Sequence, residues 1–461
     1  MPQTIDLLAE DRHPLKAIWF LAWPTLIEQL LLTCVQYADT AMVGAVGPAS
    51  TAAIAVSAST TWLINGLFTG LATGFAVLVG RAIGAAELER ARRIAVQALL
   101  AAVCGGGLLS LLVMFIARYL PGWMGAEPAI RADATAYLTI IAAGYVFNCT
   151  LVVCSNLLRC AGDSRTPMFF NLLTNIINVI LNFFLIFRPR DRVLFGRTVH
   201  LWGAGQGVSG AAVASVIAVA FSAVMLVIRL WRGGTALRLR GTGRPRHEGA
   251  VWSSAFHYGL PVTLERITIS GGQIVLTALV TGLGTTALAA HQYAVTAEAM
   301  VYLPMFGFSS AATTLVAQSL GARNPRLARR FGDWCLGGGV VMMTVLGGLL
   351  FAFAPQLVGL FTRSREVAAL GGSVLRVQAC AEPLFAASTI IFGALRGSRD
   401  NRFAAIAGVV GMWLVRLPLA WILLRTTRLG LYCVWIAMAS DMVARAAIAM
   451  IRYRQYRWLN G

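Results

Sequence analysis

Asn171, Asn175, Asn178 and Asn182 recur at spacings of four, three and four in the otherwise apolar stretch NLLTNIINVILNFFLIF. On an α-helix those spacings make one polar stripe. Amide carbonyls coordinate a hard cation or accept a hydrogen bond from a protonated carboxyl, and amides in apolar surroundings also join helices. Asp39, in VQYADTAMVG, puts a carboxylate inside another apolar run. Glu28 precedes it by eleven residues, about three turns, on nearly the same face. A carboxylate in a bilayer costs roughly 2.5–3.5 kcal/mol on insertion scales, so it faces a helix bundle or a cavity rather than lipid. Asp39 and Glu28, with Asn175, Asn178 and Asn182, are therefore a candidate site for a proton or a cation. Asp39 and Asn178 are the candidate ligands if the ion is Na+.

The later part of the chain carries its own acids in apolar runs: Glu265, Glu298 and Glu382. His291 precedes Glu298 by seven residues and shares its face on a helix. Asp441 and Arg445 stand at i and i+4, acid first, the favourable order for an intrahelical salt bridge. Arg376 and Arg416 are expected to neutralise nearby acids or line a cavity. Gln36, Tyr37 and Met305 join Arg416 as candidate substrate-cavity residues. The run MVYLPMFGF offers aromatic faces and methionines either to flat lipophilic cations or to ordinary core packing.

The runs that carry these residues are about 20 residues long, enough to cross a hydrocarbon core of about 30 Å. Of 461 residues, 58% are hydrophobic and 12% charged, against about 25% charged in soluble proteins. The fold class is read as an all-α polytopic membrane protein of about twelve transmembrane helices, the first from about Ile18 to Val46. A net charge of +19 marks cytoplasmic loops facing anionic lipid here, not nucleic acid. Placing both termini and every even-to-odd loop on one side gives that side the larger share of Lys and Arg, so it is read as cytoplasmic. FRPRDRVLFGRTVH runs against that rule. The eight cysteines, mostly in apolar runs and without a C-x-x-C pair, are read as small buried residues. GQGVSG matches G-x-G-x-x-G but opens a membrane helix instead of following a strand. Lys16 is the one lysine and there is no G-x-x-x-x-G-K-[ST], so any energised step is expected to draw on an ion gradient or a partner.

LVGRAIGAAELERARRIA begins at Leu78 and LVAQSLGARNPRLARRFG at Leu315, an offset of 237. The same offset pairs Pro24 with Pro261, Glu28 with Glu265, Gly47 with Gly284, Arg159 with Arg396 and Asp163 with Asp400. The chain is thus divided into two six-helix bundles, 1–230 and 251–461, joined by a basic cytoplasmic linker, 231–250. Six is even, so both bundles enter from the same side, a parallel repeat suited to alternating access. Residues kept in both halves are read as scaffold: the prolines as matching bends, Arg159/Asp163 and Arg396/Asp400 as holders of loop turns. Residues found in one half are the better candidates for function. Asp39 pairs with Leu276, Asn175, Asn178 and Asn182 with Met412, Val415 and Leu419, Glu298 with Thr61 and Glu382 with Tyr145.

PTLIEQLLLTCVQYADTAMVGAVG, LVAQSLGARNPRLARR, LLRCAGDSRTP and ALRGSRDNR, together with the repeat, resemble the multidrug and toxic compound extrusion (MATE) family from about Lys16 to Arg452. The resemblance implies twelve helices in a V of two bundles, a central cavity, and exchange of organic compounds against protons or sodium ions. It places the family's first-half acid at Asp39. Some members carry an aspartate where Asn182 stands, which leaves Asp39 the one acid of that site and speaks against a two-carboxylate proton mechanism. Some use acids on the seventh, eighth or tenth helix, at positions that Glu265, Glu298 and Glu382 do not match cleanly.

The expected protein is a secondary active antiporter rather than an enzyme. It exports amphipathic, often cationic organic compounds in exchange for H+ or Na+, needs no cofactor and no nucleic acid, and works as a monomer in the bacterial inner (plasma) membrane. The competing expectation is a flippase of lipid-linked or polyanionic precursors, with Arg266, Arg376 and Arg416 lining its cavity. A receptor or channel accounts less well for a duplicated bundle with acids at unequal positions.

Overall fold

Residues 14–44, 48–124, 127–194, 197–233, 237–239, 248–362 and 364–460 are described by a computed structural model. The first half runs α1 (Pro14–Gly44), α2 (Pro48–Gly84), α3 (Leu88–Ile116), a short α4 (Leu120–Trp123), α5 (Pro128–Ala143), α6 (Tyr145–Cys160) and α7 (Arg165–Ile186). A two-stranded antiparallel hairpin follows, β1 (Arg190–Leu194) and β2 (Arg197–Leu201), and then α8 (Gly207–Arg232). This hairpin occupies the segment that ran against the charge rule. The second half runs α9 (Gly249–Thr281), α10 (Thr285–Tyr302), α11 (Met305–Gly321), α12 (Pro325–Gly359), α13 (Arg365–Ala379) and α14 (Glu382–Gly397). It ends with α15 (Asn401–Val410), a π turn (Gly411–Arg416), α16 (Leu417–Thr426), α17 (Leu431–Arg454) and a 3-10 turn (Arg457–Asn460).

Eight described spans are long and apolar enough to cross a membrane, and eleven when three bent helix pairs are each counted as one. The 33-residue α9 supplies the twelfth by its place in the repeat. The bends have local causes. α5 and α6 meet at 48° across Gly144, and α13 and α14 at 53° across Cys380 and Ala381, the latter being the repeat mate of Gly144. α10 and α11 meet at 45° where Pro304 removes a backbone donor. The repeat also reaches the backbone. Ala86 and Arg323 have φ of 60° and 55°, and Gly162 and Arg399 have 91° and 74°, each pair 237 residues apart. Each closes its helix with a hydrogen bond from the next N–H to a carbonyl five residues back, such as Asp163 to Leu158 and Asp400 to Leu395, both 2.9 Å.

Packing follows the logic of a lipid solvent, in which tails are as apolar as leucine and close backbone approach holds helices together. On α3, Ala91, Ala95, Ala98, Ala102 and Gly106 form the buried stripe, while Leu108, Leu111 and Phe115 are about 70% exposed on the opposite face. Cys149, Cys154, Cys160, Cys335 and Cys433 are buried as free thiols. The halves meet where α1 lies on α11, α2 on α9, and α2 on α11. That junction has a pseudo-twofold. A Cβ on Gly70 would stand 2.9 Å from the Gly259 carbonyl, and one on its mate Gly307 would stand 2.8 Å from the carbonyl of Ala22, the mate of Gly259.

Candidate functional site

Each half contains the same buried ion pair. Arg159, near the end of α6, reaches Glu28 on α1 at 2.5 Å, and Arg396, near the end of α14, reaches Glu265 on α9 at 2.9 Å. Both acids are almost wholly buried. These arginines therefore do not hold the loop turns expected of them; they bind carboxylates 131 residues earlier in the chain. The turn role falls to Asp163, which accepts hydrogen bonds from the backbone and hydroxyl of Thr166 at 3.0 and 2.6 Å. Asp400 instead accepts from Arg452 at 2.8 Å, which ties the start of α15 to α17. Around the acids the halves diverge. Asn171 donates to Glu28 at 2.6 Å. Its mate is Gly408, on which a Cβ would stand 3.2 Å from Glu265 Oε1.

The rest of the asparagine stripe is buried between α7 and its neighbours. Asn175, Asn178 and Asn182 have 8%, 6% and 1% of their surface exposed. Asn182 donates to Asn178 Oδ1 at 3.0 Å, and Asn178 donates to the Ser215 hydroxyl of α8 at 2.9 Å. One turn away, Thr174 donates to Ser222 of α8 at 2.6 Å. The stripe thus extends from Glu28 toward the far end of the helix and joins α7 to α8. Gln36, Tyr37 and Asp39 lie in α1, and their side chains fall outside the described residues.

The second half buries a larger and more highly charged cluster. Glu298 on α10 accepts a hydrogen bond from Gln378 of α13 at 2.9 Å, and the same amide lies 2.8 Å from the Met442 sulfur of α17. Glu382, at the start of α14, has no exposed surface and no hydrogen-bond partner on either oxygen among the described residues. It lies in the field of Glu298. Asp441 on α17, also without exposed surface, accepts from Arg445 at 2.6 Å and pairs with Arg416 at 2.8 Å. Arg416 in turn acts electrostatically on Glu298 and His291. His291 is 1% exposed, with its ring 5.6 Å from the Trp435 ring and nearly perpendicular to it.

Two local features bring this cluster together. The break between α13 and α14 puts Gln378 and Glu382 on successive helices that change direction at the site. The π turn from Gly411 to Arg416 carries Arg416 inward, and Gly411 leaves room for Asp441 and Arg445 against the helix. Arg416, expected to line a substrate cavity, is 9% exposed and occupied by Asp441. Met305, expected on a cavity wall, has no exposed surface and belongs to the apolar core with Phe308 and Ile390. Nearby, Tyr302 meets Phe306 and Phe385 edge to face at 6.3 and 5.6 Å, where α10 breaks from α11. Among the described residues Arg376 pairs with no acid; it donates to the Phe351 carbonyl at 3.1 Å and lies over that ring. Arg266 is exposed on α9, with its Cβ 3.1 Å from where a Cβ on Gly66 of the other half would stand.

Sequence reasoning missed Gln378, Trp435 and Met442, because a single amide, indole or thioether in an apolar run carries no mark of its neighbours. The Glu28–Arg159 and Glu265–Arg396 pairs did leave one: both residues of each pair recur at the repeat offset.

Known proteins match this chain in sequence and in fold. The MatE family profile fits twice, over residues 24–184 and 261–422, beginning at Pro24 and again at its mate Pro261. The probable multidrug resistance protein NorM of Thermotoga maritima is 26% identical over 443 residues, covering 95% of this chain and 92% of that one. The protein of the same description from Pseudomonas aeruginosa is 30% identical over 447 residues, covering 94% and 87%. In fold, the chain superposes on a crystal structure of MATE in complex with MaL6 with a TM-score of 0.91 at 22% identity, covering all of both chains. It also superposes on an outward-facing multidrug resistance MATE transporter with a TM-score of 0.90 at 22% identity, covering 99% of each. With eleven spans among the described residues, α9 in the place of a twelfth, and a profile that fits both halves, this multi-pass membrane protein belongs to the MatE family.

Proposed function

We propose that the chain is a secondary active antiporter that exports amphipathic, often cationic organic compounds in exchange for H+ or Na+. The relatives named as multidrug resistance proteins support the substrate class. The observation that carries the coupling is the charge balance of the second-half cluster. Glu298, Glu382 and Asp441 face Arg416 and Arg445, so one negative charge is in excess when all are ionised and His291 is neutral. Two arginines are spent on Asp441, which leaves Glu298 and Glu382 to share the excess. A proton or a small cation taken up there removes a buried charge, and the helices around it repack. An ion that binds one state of the bundles better than the other drives the exchange of states. Asp39 with Glu28 and the asparagine stripe is the corresponding site of the first half. The bundles divide at the 231–250 linker, the protein works as a monomer, and both termini face the cytoplasm of a bacterial inner membrane.

The flippase reading calls for a cavity rich in free arginines. Arg416 is paired and Arg376 caps a carbonyl; among the described residues Arg266 is the one of the three with neither an ion pair nor a hydrogen bond, and it lies in the field of Glu265. The test is efflux of a fluorescent organic cation from vesicles under a pH gradient and, separately, a sodium gradient. Wild type is compared with Asp39→Asn, Glu298→Gln and Glu382→Gln. One gradient drives efflux by wild type, and Glu298→Gln and Glu382→Gln abolish that dependence. No response of wild type to either gradient overturns the reading.

A further inference from the structure

We propose that Arg81 and Gln318 are positioning residues of a crossed clamp between the halves, which holds the molecule shut on the side where α1 begins and α17 ends. The inference rests on the antiport reading, since a clamp of this kind matters in a protein that alternates between two states. It is carried by side chains, carbonyls and glycines that answer one another across the repeat.

Arg81, near the end of α2, donates to the Ser398 carbonyl just past α14 at 3.0 Å. Gln318, near the end of α11, donates to the Cys160 carbonyl at the end of α6 at 2.8 Å. Arg81 and Gln318 are repeat mates, so each half extends the same position to the same corner of the other half. Thr314 adds a bond to the Arg159 carbonyl at 3.2 Å. Beneath these bonds the backbones touch. A Cβ on Gly84 would overlap the Gln318 carbonyl, and a Cβ on its mate Gly321 would overlap the Arg81 carbonyl. Each clamp residue therefore reaches forward with its side chain while its own carbonyl rests against the other half's glycine. Gly80 extends the contact, with its missing Cβ 3.2 Å from the Ala317 methyl.

The accepting corners are themselves held. Ser398 and Cys160 lie one or two residues beyond Arg396 and Arg159, whose guanidiniums are fixed by Glu265 and Glu28. The buried ion pairs thus set the position of the carbonyls that the clamp grips. Beyond the bends, α5 and α10 pack within their own halves, against α8 and α2 and against α13 and α12. Among the described residues these hydrogen bonds to carbonyls lie over a small-residue contact, beside the apolar packing of Ile18 and Leu21 on α11, and such bonds can be broken and remade in each cycle.

The test places spin labels at Ala85 and Ala322, mated and exposed residues that directly follow α2 and α11. The background is full-length protein with the eight native cysteines replaced, purified as a monodisperse species and measured without substrate or gradient. Wild type gives one short distance. Gly84→Ala with Gly321→Ala, and separately Arg81→Met with Gln318→Leu, move the majority of molecules to a longer distance. The second pair adds no bulk, so it reads the clamp even if the first does not fold. Arg81→Gln, which supplies the amide its mate carries, keeps the short distance. Gly107→Ala with Gly348→Ala, where an added methyl meets nothing within 4 Å, leaves it unchanged. Wild-type distances in the Arg81→Met, Gln318→Leu protein overturn the proposal, as does an Arg81→Gln protein that opens as far as Arg81→Met. Failure of wild type to couple efflux to a gradient counts against the antiport reading and leaves the distances to judge the clamp.

Discussion

In the first half, Glu28 is met by Arg159 and by Asn171, and the polar surface continues along α7 as neutral amides. In the second half, Glu265 is met by Arg396 beside Gly408, and the polar surface moves to α10, α13, α14 and α17 as carboxylates and guanidiniums. The shared element, a carboxylate on the first helix of a bundle bound by an arginine on its fourth span, fixes the fold of both. What surrounds it has diverged. An amide network joins helices without carrying net charge; a cluster with unequal numbers of acids and bases has a charge to trade. Duplication here preserved the anchor and freed the surroundings to specialise.

Asp441→Ala is expected to act most strongly, because it leaves Arg416 and Arg445 buried without their acid. A loss of about 3–5 kcal/mol, the cost of breaking a buried pair from one side, would appear as a large fall in the melting temperature of the detergent-solubilised protein. If Asp441→Ala melts no lower than Asn182→Ala, the second half is not the more heavily charged of the two in any energetic sense. Glu382→Gln comes next: ion-driven efflux falls by about tenfold or more, within the usual range of coupling between sites, with stability held. Asn178→Ala, the first-half counterpart, lowers efflux much less, and the reverse ranking in a vesicle assay would exchange the roles of the halves. Asn171→Ala removes one donor from Glu28 and costs about 0.6 kcal/mol, at most about 1.7, as hydrogen bonds between membrane helices do. Gly408→Ala is the mildest. Its methyl crowds Glu265 Oε1 by a few tenths of an ångström while Ala favours the helix, so the net change stays within about 0.5 kcal/mol in a chemical denaturation series.

Much of this was legible in the residues. The repeat, the membrane spans, the polar stripe and the Asp441–Arg445 pair all depend on spacing along one helix or on a constant offset, which a chain displays openly. The meeting of Arg416 with Asp441 depends on a π turn, and nothing in GMWLVR announces one. Gln378 and Glu382 converge with Glu298 because two helices bend where α13 gives way to α14, and a bend sets distances between segments that the sequence leaves far apart. Arg159 and Arg396 hold distant acids and not the turns beside them, which is hard to read for a related reason. Their nearest neighbours in sequence are turn residues, whereas the acids they bind lie 131 residues away.

The π turn has a consequence for how the two halves are laid against each other. A helix with one extra residue in a turn falls out of phase with an uninterrupted partner by about 100°, the rotation of one α-helical residue. α7 is α-helical throughout, whereas the corresponding span carries its π turn at Gly411–Arg416. Before that point, residues 237 apart share both sequence position and compass direction; after it they share sequence position alone. Leu419 is the counterpart of Asn182 by count, but a different side of its helix faces inward. One half has turned the end of a helix like a key.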